Sequence, residues 1–208
     1  ELPATEPGTT AKAVVGEGHP EGKARGTRLA ALEKETFACT RCSLYRTRTR
    51  HVFGDGRPDA KLVFVGEAPG RDEDLQGKPF VGAAGQLLTK MIEAIGLRRE
   101  DVYICNVLKD RPPNNRVPEP EEVEACLPFL ERQLRIIQPR VICLLGATPA
   151  KAFLGPHVAI TKIRGQRYDY HGIPLIPTFH PAYLLRNPPA KKFAWIDLKR
   201  VKKLLESA

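Results

Sequence analysis

Asn106 closes the apolar run Val102-Tyr103-Ile104-Cys105, and a polar side chain at the end of a buried segment needs hydrogen-bond partners. Its amide offers one acceptor and two donors, so it can cap backbone groups or read a ligand edge that carries a donor beside an acceptor. His180 heads His180-Pro181-Ala182-Tyr183-Leu184-Leu185-Arg186-Asn187, the most specific local string in the chain. A lone histidine is usually structural; one in such a string is a candidate site residue. His19, His51, His157 and His171 have no comparable setting. Gly66-Glu67-Ala68-Pro69-Gly70 can turn tightly and let backbone approach a ligand. Within it Glu67 is either a solvated turn carboxylate or a carboxylate of the site. Phe80, inside Lys78-Pro79-Phe80-Val81-Gly82, is either a core aromatic or a face for a planar ligand.

Cys39-x-x-Cys42 has a spacing suited to a metal or an iron–sulfur group, and Cys126 supplies a further thiol. Cys143 lies mid-strand and reads as a small buried hydrophobe. The count of 5 cysteines is odd, and ligands or buried residues account for them better than disulfides in a chain expected in the cytoplasm. No G-x-x-x-x-G-K-[ST] string occurs, and no G-x-G-x-x-G follows a strand, which argues against triphosphate and dinucleotide enzymes.

These residues need a scaffold. Four short apolar runs read as buried strands: 61–65, 102–107, 141–145 and 174–179. Helical patterns alternate with them at 84–95, 119–137, 147–154 and about 192–205, and an earlier helix is predicted from near Thr27. Tyr168 to Gly172 reads as a hairpin into the last strand. Alternation of this kind predicts a parallel sheet covered on both faces, whose carboxyl ends carry the ligand site. Each candidate above follows, or lies near, such a strand end. Residues 1–26, rich in Ala, Thr, Gly, Pro and Glu, show no period and are expected to be a disordered extension, with one domain over 27–208. The chain has 208 residues, 42% of them hydrophobic, enough for one sizeable core. No apolar run nears the ~18 residues that span a membrane. The net charge of +9 suggests a polyanionic partner, though a merely soluble basic protein also fits.

Taken together, these segments resemble the family 4 uracil-DNA glycosylases, the iron–sulfur branch of that superfamily, from about Phe37 to the C-terminus. The resemblance implies an α/β fold, a three-layer α/β/α sandwich around a four-stranded parallel sheet. It implies a monofunctional glycosylase that hydrolyses the N-glycosidic bond of deoxyuridine in DNA and leaves an abasic site. The partner is uracil-containing DNA, single- or double-stranded, and the chain is expected to act as a monomer. In that family Gly66, Ala68, Phe80, Asn106 and His180 would bind uracil, with Phe80 stacking the extruded base at ~1–3 kcal/mol. The Asn106 amide matches uracil N3–H and O4, whereas cytosine shows the reverse pattern. Glu67 would help place water or stabilise the sugar cation, and His180 would donate to uracil O2 as the bond breaks. Tyr183, Leu184, Leu185 and Arg186 would enter the groove, with the leucines either filling the hole left by the base or simply belonging to the core. Arg111 and Arg116, and the neighbouring Arg41, Arg46, Arg48 and Arg50, would meet phosphates.

Cys39, Cys42 and Cys126 match three ligands of the family's 4Fe-4S cluster. The fourth is a cysteine in a Lys-Cys-Arg-Pro-Pro string, and here the string is Lys109-Asp110-Arg111-Pro112-Pro113. Three outcomes are therefore open: Asp110 ligates iron through oxygen, that iron takes water or another ligand, or the cluster is 3Fe-4S or labile; zinc is the rival metal. Two other function classes remain: a relative that traps uracil-DNA covalently through a histidine on its Arg-rich loop, and a non-catalytic iron–sulfur DNA-binding protein. Residues 111–116 contain no histidine, which argues against trapping.

Overall fold

A computed structural model describes residues 20–207 of the chain. The disorder expected for residues 1–19 lies outside the described residues. Helix α1 spans Pro20–Phe37 and so starts earlier than the expected Thr27. Proline suits a first helical turn because its missing N–H would have no partner there. Arg25 then ties this end down, donating to the carbonyl of Ile137 at 2.6 Å and to Gln138 Oε1 at 2.9 Å.

The remaining elements follow in order: β1 (Asp55–Gly56), β2 (Leu62–Gly66), α2 (Arg71–Gln76), α3 (Ala83–Ala94), β3 (Tyr103–Asn106), α4 (Pro120–Ile137), β4 (Val141–Leu145), α5 (Ala147–Leu154), α6 (Ile160–Ile163), β5 (Tyr168–Tyr170), β6 (Ile173–Thr178), α7 (Pro181–Arg186) and α8 (Lys191–Glu206). One sheet runs in the order β1-β3-β2-β4-β6-β5. Its centre, β3-β2-β4-β6, is parallel, as expected. The sheet nevertheless has six strands rather than four, because β1 and β5 add antiparallel edges. The two residues of β1 are too short to show any alternation, so nothing in the sequence marks it.

Alternate residues of the central strands feed two separate cores. Val63, Val65, Cys105, Ile142, Leu144 and Leu175 face Leu29, Leu32, Leu130 and Leu134 of α1 and α4. Leu62, Phe64, Ile104, Cys143, Leu145 and Ile176 face Leu88, Ile92, Leu198 and Val201 of α3 and α8. This period of two is what a sheet buried on both sides requires, and it makes the three layers. From β2 the chain moves to β3 on one side, then crosses back to β4 on the other. The strand order thus reverses at β2, and a crevice opens at the carboxyl ends of β2 and β4.

Candidate active site

A cleft of about 600 Å³ occupies that crevice. Glu67, Ala68, Phe80, Asn106, Leu145, Gly146 and His180 line it, together with Arg116, Tyr183 and Arg186. Segments more than a hundred residues apart in sequence meet here because each follows a parallel strand.

Gly66 and Asn106 are direct partners across the β2–β3 ladder. A Cβ at Gly66 would lie 2.5 Å from Phe80 Cζ and closer still to Asn106 Oδ1. Glycine is therefore what lets the aromatic ring and the amide close over the end of β2. Asn106 is 1% exposed, and its Oδ1 is a buried polar atom without a hydrogen-bond partner among the described residues. Such an acceptor costs ~1–3 kcal/mol to leave unpaired, a penalty that a ligand N–H would remove. Its backbone is held from behind: Lys109 Nζ donates to the Asn106 carbonyl at 2.7 Å and to Gln133 Oε1 at 2.6 Å. Gln133 in turn donates to the Phe53 carbonyl at 3.0 Å. Burial pushes the Lys109 ammonium below its ordinary pKa.

Phe80 is buried and has φ +52°, a left-handed conformation that a non-glycine residue adopts only when its surroundings enforce it. Glu73 supplies much of that enforcement. Its Oε1 accepts from the amides of Val81 at 2.9 Å and Gly82 at 3.0 Å, and its Oε2 from Gly70 at 3.1 Å. Arg99 donates to the Pro79 carbonyl at 2.7 Å. The turn is thus clamped on both sides of the ring.

His180 caps α7, with its Nδ1 accepting from the Ala182 amide at 3.1 Å. That bond needs the Nδ1 lone pair, so the neutral ring carries its proton on Nε2. Burial, and then the charge of Arg186, lower the His180 pKa to about 4. The imidazole is therefore neutral at physiological pH, with one N–H free to donate. Its ring centroid lies 5.6 Å from that of Phe80, at 34°. Gly146, at φ +98°, passes close to the histidine's Cβ. Glu67 Oε2 accepts from the hydroxyl of Thr148, in the first turn of α5, and this fixes the carboxylate at the cleft wall.

The groove-entering segment divides. Tyr183 and Leu185 are exposed, and Arg186 lines the cleft. Leu184 is 1% exposed and packs with Leu88 and Leu198, so the expectation that it fills a gap in DNA is corrected: α7 turns it inward. Arg116 lines the cleft mouth and pairs with Glu122 at 2.6 Å. Arg111 does not line the cleft, and it donates to Oδ1 of Asn115, which does, at 2.7 Å.

Cys39 and Cys42 follow α1, and Cys126 lies on α4. The Cys126 thiol contacts Cys42, which holds the Cys42 pKa down and pushes that of Cys126 up. Asp110 does not join them. Its Oδ2 accepts from Arg48 Nη1 at 2.8 Å, and its Oδ1 is 2.8 Å from His51 Nδ1. Among the described residues no group of three His, Cys, Asp or Glu side chains is arranged for a metal ion. The four-ligand set expected from the sequence therefore does not fit, since both oxygens of its carboxylate already have partners.

A family model described as the uracil DNA glycosylase superfamily matches residues 53–199. The chain belongs to the uracil-DNA glycosylase superfamily. Within it, the chain is similar to proteins named type-4 uracil-DNA glycosylase. One, from Thermotoga maritima, is 57% identical over 151 residues, 72% of this chain and 79% of the relative. Another, from Archaeoglobus fulgidus, is 48% identical over 181 residues, 83% of this chain and 91% of its own. A third, from Sulfurisphaera tokodaii, is 46% identical over 185 residues, 85% of this chain and 84% of its own. These matches place the chain on the type-4 side of the uracil-DNA glycosylase superfamily.

Sequence reasoning missed the residues that hold this glycosylase-superfamily site in place, Glu73, Thr148, Lys109 and Gln133, and the His51 that holds Asp110 outside it. Glu73 had a signal, a carboxylate three residues beyond Gly70, where a helix N-terminus favours it. The contacts of the others span up to 81 residues of sequence and leave no local trace.

Proposed function

We propose that the chain excises uracil from DNA by hydrolysing the N-glycosidic bond of deoxyuridine, leaving an abasic site for repair. The observation that carries this reading is the Oδ1 of Asn106, without a hydrogen-bond partner among the described residues and buried in the cleft beside Phe80 and His180. The deoxyuridine must leave the stack, because its glycosidic bond is out of reach inside a duplex. In the cleft, Phe80 offers the base a stacking face. Asn106 Oδ1 accepts from uracil N3–H while its amide N–H donates to O4. His180 Nε2–H donates to O2 and binds it more strongly as the base becomes an anion. Glu67, held by Thr148, lies where a carboxylate favours the cationic sugar or orients the attacking water.

No lysine is among the described residues that line the cleft. An amine to capture C1′ is thus missing from the lining, which supports hydrolysis without strand cleavage. Cleavage of strand and base together would need such an amine. Tyr183, Leu185, Arg186, Arg111 and Arg116 are the side chains assigned to DNA, with the charge of +9 drawing the phosphates. The protein is read as a cytoplasmic monomer acting on single- or double-stranded DNA. Among the described residues no helix is long and apolar enough to cross a membrane.

The test is incubation with an end-labelled oligonucleotide carrying one uracil. Strand breaks that appear only after alkali support the proposal. An intact strand after alkali contradicts it, and breaks before alkali point to a lyase.

A further inference from the structure

Asp110 stands at the position where the resembling family carries a cluster cysteine, and the structure shows what this chain does with it instead. Its two carboxylate oxygens each meet a nitrogen donor, Arg48 Nη1 and His51 Nδ1, both at 2.8 Å. The three side chains are nearly enclosed, with exposures of 10% for Asp110, 13% for Arg48 and 5% for His51. The contacts continue outward. Arg48 also donates to the Phe37 carbonyl, and its guanidinium lies 5.0 Å from the centre of the Phe37 ring. His51 Nε2 lies 2.8 Å from Thr36 Oγ1, and the His51 ring meets the edge of Phe37 at 6.2 Å.

We infer that Asp110 is not an iron ligand in this chain and that the Arg48–Asp110–His51 network pins the loop after β3 to the end of α1. Three arguments carry the assignment. A carboxylate buried against the Arg48 guanidinium and hydrogen-bonded to the His51 ring is stabilised there, and freeing an oxygen for iron would strip Arg48 or His51 of its partner in a nearly dry site. Arg48, whose charge is permanent, would then lie beside the metal. Iron in such clusters also prefers thiolate to carboxylate, so the exchange gains little. The network joins α1 to the 110–116 loop, and this is the junction that a cluster held by Cys39, Cys42, Cys126 and a fourth ligand would bridge. The Arg48–Asp110 ion pair and the His51–Asp110 hydrogen bond thereby do mechanically what the missing fourth thiolate would have done. The inference is independent of the glycosylase reading, and its test does not measure excision.

Iron and acid-labile sulfide per chain are measured on the full chain and on Asp110→Ala, both purified anaerobically, together with their melting temperatures. Asp110→Asn, which keeps the volume, replaces Asp110→Ala if the latter does not fold. The expected result is unchanged iron per chain and a melting temperature lower by about 6 °C or more, the shift expected for breaking a buried pair in a chain of this size. Arg48→Met is expected to lower the melting temperature similarly, and the double variant to melt little lower than either single one, because the two side chains act through one contact. Loss of iron on Asp110→Ala or Asp110→Asn would overturn the inference, as would an unchanged melting temperature or fully additive shifts.

Discussion

Lys109 reaches back from the turn after β3 to the carbonyl oxygen of Asn106, with 2.7 Å between Nζ and the oxygen. The residue proposed to read the base edge is thus held by an ammonium on the side away from the cleft. Gln133 of α4 completes the clamp, and the ammonium has no carboxylate among its hydrogen-bond acceptors. Lys109→Met keeps the stem and removes the donor, leaving two buried acceptors at ~1–3 kcal/mol each. The variant is expected to melt lower and, in single-turnover assays, to excise uracil about tenfold more slowly while discriminating less sharply against cytosine. A lower melting temperature with an unchanged uracil-to-cytosine ratio would show a clamp that serves stability alone.

His180→Ala is expected to lower the single-turnover rate by ~10²–10³ while weakening binding to uracil-DNA far less, because its hydrogen bond strengthens only as the base departs. Its pKa near 4 also fixes the sign of a pH effect. Above that value the ring is neutral and Nε2–H can donate, so between pH 5 and 8 the rate should show no step from His180. For stability, the unfolded chain binds this proton at an ordinary histidine pKa of about 6.5 and the folded chain only near 4. The contribution is present above about 6.5 and is lost as the pH falls towards 4. A rate that falls with a midpoint near 6.5 in the wild type, and loses that step in His180→Ala, would contradict the neutral imidazole.

Leu184 and Leu185 are adjacent and should behave in opposite ways. Leu184 is in the core, and Leu184→Ala should cost ~2–5 kcal/mol of stability, read as a lower melting temperature. Leu185 is 42% exposed, and Leu185→Ala should leave the melting temperature within a degree or two. Its effect should fall on excision from double-stranded DNA, where a gap must be filled, and less on single strands. Equal loss on both substrates would remove the wedge role.

The contrast between these two leucines shows where the sequence was legible. Strands such as 141–145, an uninterrupted apolar run bounded by turn residues, match β4 residue for residue. The order of strands and helices then put Asn106 and His180 at the carboxyl ends of two parallel strands of one sheet, β3 and β6, and the cleft contains both. Which of the two leucines turns inward could not be read, because it depends on the short helix α7 that His180 caps. Strand β1 went unread because it is only two residues long. The fate of Asp110 was hidden for a different reason. Its partners Arg48 and His51 lie about sixty residues earlier, and nothing local to either segment announces the pairing.

The central claim is that the Asn106 amide, beside Phe80 and His180, reads uracil. The measurement that tests it most directly is the single-turnover rate of base release from uracil- and cytosine-containing oligonucleotides by the wild type, Asn106→Ala and Asn106→Asp. Truncation removes both partners of the uracil edge, and each 1.4 kcal/mol lost slows the step about tenfold. Asn106→Ala is expected to release uracil at least tenfold more slowly. Asn106→Asp should also lose rate on uracil and narrow the gap to cytosine, since a carboxyl pairs differently. A uracil rate for Asn106→Ala within about twofold of wild type, well inside that tenfold step, would contradict the account.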